Sequence, residues 1–310
     1  MIHLVCPNPA LDRTILIENF AEDVVNRPTE VHENAGGKSF NVAYVLNQEK
    51  TKESRPFCIH TMLGGKMGDY ISELNQNQEI PLVVTQVRKN TRTCSIMIDT
   101  VQKKTYLLYE AGFDLDEELL AQFTDQLLNS VKVGDSVVFS GSLMKGMPED
   151  YIAQVAAALP SHVDLIVDTS GAALKAALKA QPKVVKINDE ELKELTGQST
   201  DTAEEVASLL EVYKEIPFFI VTMGGKGVVA RLEEDLFHLT FPKIELKNPI
   251  ASGDFFLGSL CHALANRGKV DREAVIRACA YATANCLQWT PKVDPADVER
   301  IASEINLRIL

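Results

Sequence analysis

The chain has 310 residues, 45% hydrophobic and 24% charged, enough to bury the core of one large α/β domain or two ordinary ones. Its formal net charge of −12 disfavours a nucleic-acid partner, which needs clustered Lys and Arg, yet permits a small anionic substrate met by a few local cations. No apolar run approaches the roughly 18 residues that span a bilayer, so no membrane partner is expected. Six cysteines (Cys6, Cys58, Cys94, Cys261, Cys279, Cys286) are scattered in apolar settings without a C-x-x-C pair. That argues against zinc and for free, mostly buried thiols in a reducing cytoplasm.

The opening residues 1–6 lack a basic region and run into Pro7, so they read as a short buried strand rather than a leader peptide. Residues 14–31 break the pattern that follows. Residues 35–43, AGGKSFNVA, place a glycine pair and Lys38 ahead of a helix with Asn41 in its first turn. This suits a polar ligand held close to backbone, or simply a glycine turn before a helix. The Gly-Lys-Ser ending resembles a phosphate-binding P-loop, but that loop needs a glycine where His32 stands, so it is excluded. Apolar residues 57–62 predict a buried strand. In residues 82–110, the stretches 93–99 and 105–109 alternate like antiparallel strands, which with 14–31 predicts a small β-sheet standing off the main domain.

From residue 115 helices alternate with near-continuous apolar strands: helices over 115–128, 149–159 and 203–213, strands over 136–140, 163–168, 183–187 and 218–222. Strands of that kind are buried on both faces, which predicts a parallel sheet covered by helices. After the strand at 183–187, Lys186-Ile187-Asn188-Asp189-Glu190-Glu191 opens a helix. Asn188 and Glu191 share a helical face there and could order Mg²⁺ through water, or form an ordinary capping box. The strand at 218–222 ends in Met223-Gly224-Gly225-Lys226-Gly227. Such a glycine turn lies near nucleotides in open α/β sheets, or forms a β-hairpin.

Residues 248–259, NPIASGDFFLGS, carry the most chemistry. Small residues lead into a helix whose first amides and positive dipole end make an anion site. Gly253 lets a ligand approach the backbone. Asp254 would repel a bound phosphate, so it is better explained as a base that takes a proton from an attacking hydroxyl; otherwise it merely favours the helix start. The rest is helical, over 255–266, 272–287 and 296–305.

Taken in order, residues 8–12 (NPALD), Gly36-Gly37-Lys38 with Asn41-Val42-Ala43, Thr91-Arg92, 140–143 (SGSL), 168–171 (DTSG), 186–192 and Ser252-Gly253-Asp254 resemble the phosphofructokinase B family of the ribokinase superfamily, nearest to 1-phosphofructokinases and tagatose-6-phosphate kinases. The resemblance implies one ribokinase-like domain over 1–310, a doubly wound α/β/α sandwich. A discontinuous β lid over about 12–33 and 84–111 would form a homodimer interface. It implies that Asp12, Gly37 and Asn41 bind the sugar, while Lys38, Arg27 and Arg92 hold a phosphate already on it. Lys186, Asn188 and Glu191 would face the ATP phosphates and Mg²⁺, with Thr222, Gly224 and Gly227 lining the ATP site. Asp254 would be the general base, and the backbone amides of Ser252, Gly253 and Asp254, in the Ala251–Asp254 signature, the anion hole.

The chain departs from the family pattern at Ser39-Phe40, where Gly-Ile is usual, and at Tyr44, where Arg is usual. Ala251 and Ser252 replace the first Gly and Ala of Gly-Ala-Gly-Asp, and Ile187 replaces a Pro. The lid strand lacks its usual polar residues, and Tyr281-Ala282 and Trp289-Thr290 replace small residues of the adenine region. Two alternatives stand beside the sugar-phosphate kinase: a kinase of an unphosphorylated sugar or nucleoside on the same fold, and a sugar-phosphate-binding protein with little catalysis.

Overall fold

The computed structural model describes residues 1–310. β1 (Ile2–Cys6), β2 (Ala10–Ile17) and β3 (Glu30–Gly36) lead to α1 (Lys38–Glu49), followed by β4 (Phe57–Gly64), α2 (Gly65–Asn77), β5 (Leu82–Val87), β6 (Arg92–Asp99) and β7 (Lys104–Tyr109). The middle alternates α3 (Glu117–Ser130), β8 (Ser136–Ser140), α4 (Tyr151–Ala158), β9 (Asp164–Asp168), α5 (Gly171–Leu178), β10 (Val184–Asn188), α6 (Asp189–Thr196), α7 (Ala203–Leu210) and β11 (Phe218–Thr222). The antiparallel strands β12 (Val228–Leu232) and β13 (Asp235–Thr240) precede α8 (Ser252–Arg267), α9 (Arg272–Asn285), α10 (Pro295–Glu304) and β14 (Asn306–Ile309).

Ten strands form one sheet in the order β14-β13-β12-β11-β10-β9-β8-β1-β4-β5, parallel from β5 to β11. The apolar strands bury both faces, as their composition requires. On one face Leu4 of β1 meets Phe40 and Val42 of α1 and Leu257 and Leu260 of α8. On the other, Val5 meets Phe123 and Leu127 of α3 with Ile152 and Val155 of α4. Strand order reverses between β1 and β8, which opens a crevice at the carboxyl ends of those strands.

The small sheet exists, in the order β3-β2-β6-β7, with β2 parallel to β6 and β6 antiparallel to β7. Its extent needs correction. β5 overlaps the predicted lid stretch 84–111 but pairs parallel with β4 in the large sheet, because its valines extend the apolar edge of that sheet. Two features stayed unpredicted: helix α2, and the antiparallel extension through β13 and β14. Leu16, Ile96 and Ile98 of the small sheet pack against Ile250 and Trp289 of the main domain. Its outer strand β7 leaves Leu107, Leu108 and Tyr109 more than half exposed.

Candidate active site

The crevice at the strand reversal deepens into a cleft of about 780 Å³, and a second hollow of about 570 Å³ adjoins it across Thr222, Gly224, Pro249, Ser252 and Gly253. Between them they take in every predicted site residue except Arg27. Asp12, Gly37, Lys38, Asn41, Arg92, Lys186, Asn188, Glu191 and Ala251 to Asp254 line the cleft; Gly227 lines only the second hollow. Arg27 is exposed on the connection between β2 and β3 and lines neither, so within one chain it is no phosphate anchor.

Ala251 starts α8 in a left-handed conformation, φ 68°, which tips the first turn of the helix into the cleft. Asp254, 6% exposed, does not cap the helix. Its Oδ2 instead accepts a hydrogen bond from Asn41 Nδ2 at 2.8 Å, across 213 residues of sequence. Asp254 thus stands in the first turn of α8 and is also tied to α1. Burial pushes the Asp254 carboxyl up to about 6, with Lys38, Asn41 and Lys186 pulling the other way. Burial likewise raises Asp12 in the same cleft to about 7, against the pull of Arg92.

The anion hole is narrower than predicted. The Ser252 amide donates to Pro249 O at 3.2 Å and the Asp254 amide to Ala251 O at 2.9 Å, a consequence of the tight turn at Ala251. The amides of Gly253 and Ala251 remain unpaired and line the cleft. A Cβ at Gly253 would lie 2.8 Å from Lys186 Nζ, so a side chain there would push that ammonium aside. Gly37 has φ 119°, and its Cβ would meet Cys6 Sγ at 2.8 Å.

Asp168 organises the cations and was missed among the predicted site residues, though it stands at the end of an apolar strand, where cleft residues of α/β sheets gather. Its carboxylate, 1% exposed, accepts from Lys186 Nζ at 2.9 Å and lies 3.7 Å from Lys38 Nζ. Burial pulls the Lys38 ammonium down, but the carboxylates of Asp168, Asp254 and Glu191 outweigh it and hold the pKa above its ordinary value. Arg92 directs three of its N–H groups to the backbone oxygens of Pro9, Glu110 and Asn8, at 3.4, 3.0 and 3.2 Å. A guanidinium has about five donors, so about two remain for a ligand.

At the far side Asn188 Oδ1 accepts from the Glu191 amide at 2.7 Å and Glu191 Oε2 from the Asn188 amide at 2.8 Å. The capping box is therefore real, and both residues line the cleft as well. Similarly, residues 223–227 are both the hairpin turn between β11 and β12 and part of the hollow's wall. The hollow's apolar side comes from Phe241, Ile244 and Leu246, on an irregular segment with no sequence periodicity to betray it, and from Phe256 and Ala282.

The profile of the pfkB family carbohydrate kinases matches residues 8–291, which includes the whole cleft. The chain belongs to that family. The kinase is 28% identical to the tagatose-6-phosphate kinase of Staphylococcus epidermidis, with 99% of each chain covered. Its fold superposes on phosphofructokinase-2 from Escherichia coli with a TM-score of 0.89 at 23% identity, covering 97% of this chain and 98% of that one. Ribokinase from Thermotoga maritima matches with a TM-score of 0.70 at 20% identity, over 97% and 98% of the two chains. The fold is thus ribokinase-like, and the enzyme is a phosphotransferase with a sugar hydroxyl as acceptor. ATP follows as the expected phosphoryl donor. No helix of the kinase is long and apolar enough to cross a membrane.

Proposed function

We propose that the kinase transfers the γ-phosphoryl group of ATP to a hydroxyl of a ketohexose phosphate, fructose 1-phosphate or tagatose 6-phosphate, with Asp254 as general base. The observation that carries this reading is the Asp254 carboxylate. It is buried, oriented by Asn41, raised to about 6, and set beside two free amides at a helix start. A base with a pKa just below neutrality is ionised at working pH yet basic enough to accept a proton in the transition state. Asp254 takes the hydroxyl proton, the freed oxygen bonds to the γ-phosphorus, and the bond from that phosphorus to the bridging oxygen breaks to release ADP. Lys186 and the Gly253 amide offset the charge on the transferring group, while Lys38 holds the phosphate the sugar already carries. Asp12 and Asn41 hold the sugar, and the apolar hollow beyond Thr222 and Gly227 receives the base of ATP.

Magnesium fits the donor set. Glu191 Oε1, which the capping box leaves free, suits a hard cation that keeps most of its own shell and takes few protein ligands. Bound there by Glu191, with Asn188 behind it, the ion would neutralise phosphate charge. The exposed apolar strand β7 supports a second role for the small sheet, as a lid that pairs two copies in a homodimer. The free cysteines support a reducing, cytoplasmic setting.

One observation favours an unphosphorylated acceptor: Arg27 is remote and most of Arg92 is spent on backbone, leaving Lys38 as the chief anchor for a substrate phosphate. ADP release from Mg-ATP across a panel of sugars and sugar phosphates separates the readings. Turnover confined to one ketohexose phosphate supports the first; turnover only with free sugars or nucleosides supports the second. Binding without turnover of any of them refutes the catalytic role of Asp254.

A further inference from the structure

Away from the cleft, near the amino ends of β1 and β4, three side chains with metal-binding chemistry meet. His3 pairs in register with Cys58, and His60 follows two residues later on the same face. His3 and His60 are 0% and 1% exposed and Cys58 5%. None lines either cavity of the kinase site.

Their separations match a coordination polyhedron. His3 Nδ1 and His60 Nε2 are 2.9 Å apart, and Cys58 Sγ lies 3.7 Å from the first and 3.6 Å from the second. With metal–nitrogen bonds of about 2.05 Å and a metal–sulfur bond of about 2.3 Å, tetrahedral ligands stand about 3.3 Å (N to N) and 3.6 Å (N to S) apart. The two sulfur edges already agree, and the nitrogens need to part by only about 0.4 Å.

The surroundings complete the site. Asp135 Oδ2 accepts from His3 Nε2 at 3.1 Å, which selects the tautomer that turns the Nδ1 lone pair inward, and the Lys132 amide fixes Asp135 at 2.8 Å. A carboxylate behind a ligating imidazole is the usual outer partner of a bound metal. Met1, 38% exposed, places its Sδ 4.0 Å from Cys58 Sγ, so the cluster lies just beneath the surface.

We infer that His3, Cys58 and His60 bind one thiophilic transition-metal ion of the zinc class, with Asp135 as a positioning residue. Binding forms one metal–sulfur and two metal–nitrogen bonds, releases the Cys58 thiol proton to solvent, breaks the His3–His60 hydrogen bond and moves the proton it used from His60 Nε2 to Nδ1; no oxidation or reduction is involved. The ion cross-links β1 to β4 and stabilises the folded chain.

The test is to strip the full-length protein with chelator and titrate it with Co²⁺ alone, reading absorbance. One equivalent should develop an intense thiolate-to-cobalt charge-transfer band in the near ultraviolet, and Zn²⁺ should abolish it by displacement. Cobalt in the oxygen-lined magnesium position gives no such band. Cys58→Ser should remove the band, and Asp135→Asn should weaken Co²⁺ binding by about 10- to 100-fold while keeping it. Should Cys58→Ser not fold, Zn²⁺ must still raise the melting temperature of the unaltered chain and not that of His60→Gln. No thiolate band at one equivalent, a band that survives Cys58→Ser, or an equal Zn²⁺ effect in His60→Gln overturns the inference and leaves a plain Asp135–His3–His60 hydrogen-bonded chain.

Discussion

Replacing Asp254 by Asn should make the kinase both slower and more stable, and the size of each effect follows from the same burial. A positioned base contributes about 10²- to 10⁴-fold to rate, so kcat should fall by that factor while sugar binding survives, because Asn still accepts from Asn41. The carboxyl stands raised from 3.8 to about 6. A raised acid is favoured in its protonated form, so its contribution is fully present below the unfolded value and is lost as pH rises through the folded one. At one pKa unit per 1.36 kcal/mol, the native protein loses about 3 kcal/mol between pH 4 and 7 through this group alone. Asn escapes that loss, and because the value of about 6 already contains the pull of Lys38 and Lys186, the gain should be of the same order, about 2–3 kcal/mol. Melting temperatures of both proteins at pH 4 and pH 8 measure it. The mutant should gain several degrees at pH 8 and almost nothing at pH 4. An unchanged or lowered melting temperature at pH 8, or an equal gain at both pH values, refutes the claim that Asp254 is held as a buried carboxylate against its solvation preference.

The same group predicts that kcat rises with pH through about 6 and then levels; a rate flat between pH 5 and 8 removes Asp254 as the base. Gly253→Ala drives a methyl onto Lys186 Nζ, so it should leave the fold intact, break the Lys186–Asp168 pair and cost on the order of 10²-fold in kcat/KM for ATP, read from steady-state kinetics. Ala251→Gly relieves a left-handed non-glycine residue and should raise stability by about 0.5–1 kcal/mol in denaturant unfolding, after the entropy of the added glycine is subtracted. Leu108→Glu, on a residue 67% exposed, should shift the kinase from dimer to monomer in sedimentation if β7 is the interface.

Continuous apolar runs made the parallel core legible: the predicted strands at 136–140 and 218–222 coincide with β8 and β11. α2 was legible too, since Met67, Tyr70, Ile71 and Leu74 recur at helical spacing and pack on the core, but Gly64, Gly65 and Gly68 around its start read as a turn. β5 was assigned to the wrong sheet because a strand's pattern says which face is buried, not which neighbour it joins. At the cleft, residue types and order located Asp254, Lys38 and Lys186, but pairing did not follow from them. Asn188 and Glu191 turned out to cap a helix while lining the cleft, and two of the three expected amides were already taken by the turn at Ala251. Asp168 illustrates the limit most clearly. Its position joins a lysine of β10 to one at the start of α1, a relation that exists only once β9 lies beside β10 and α1 has packed on the sheet. The absence of a C-x-x-C pair carried no information about His3, Cys58 and His60, for the same reason. Two of those ligands are two residues apart on one strand, and the third stands more than fifty residues away on the strand beside it. Motif spacing reports sites built along one segment; sites built across a sheet are written in its register.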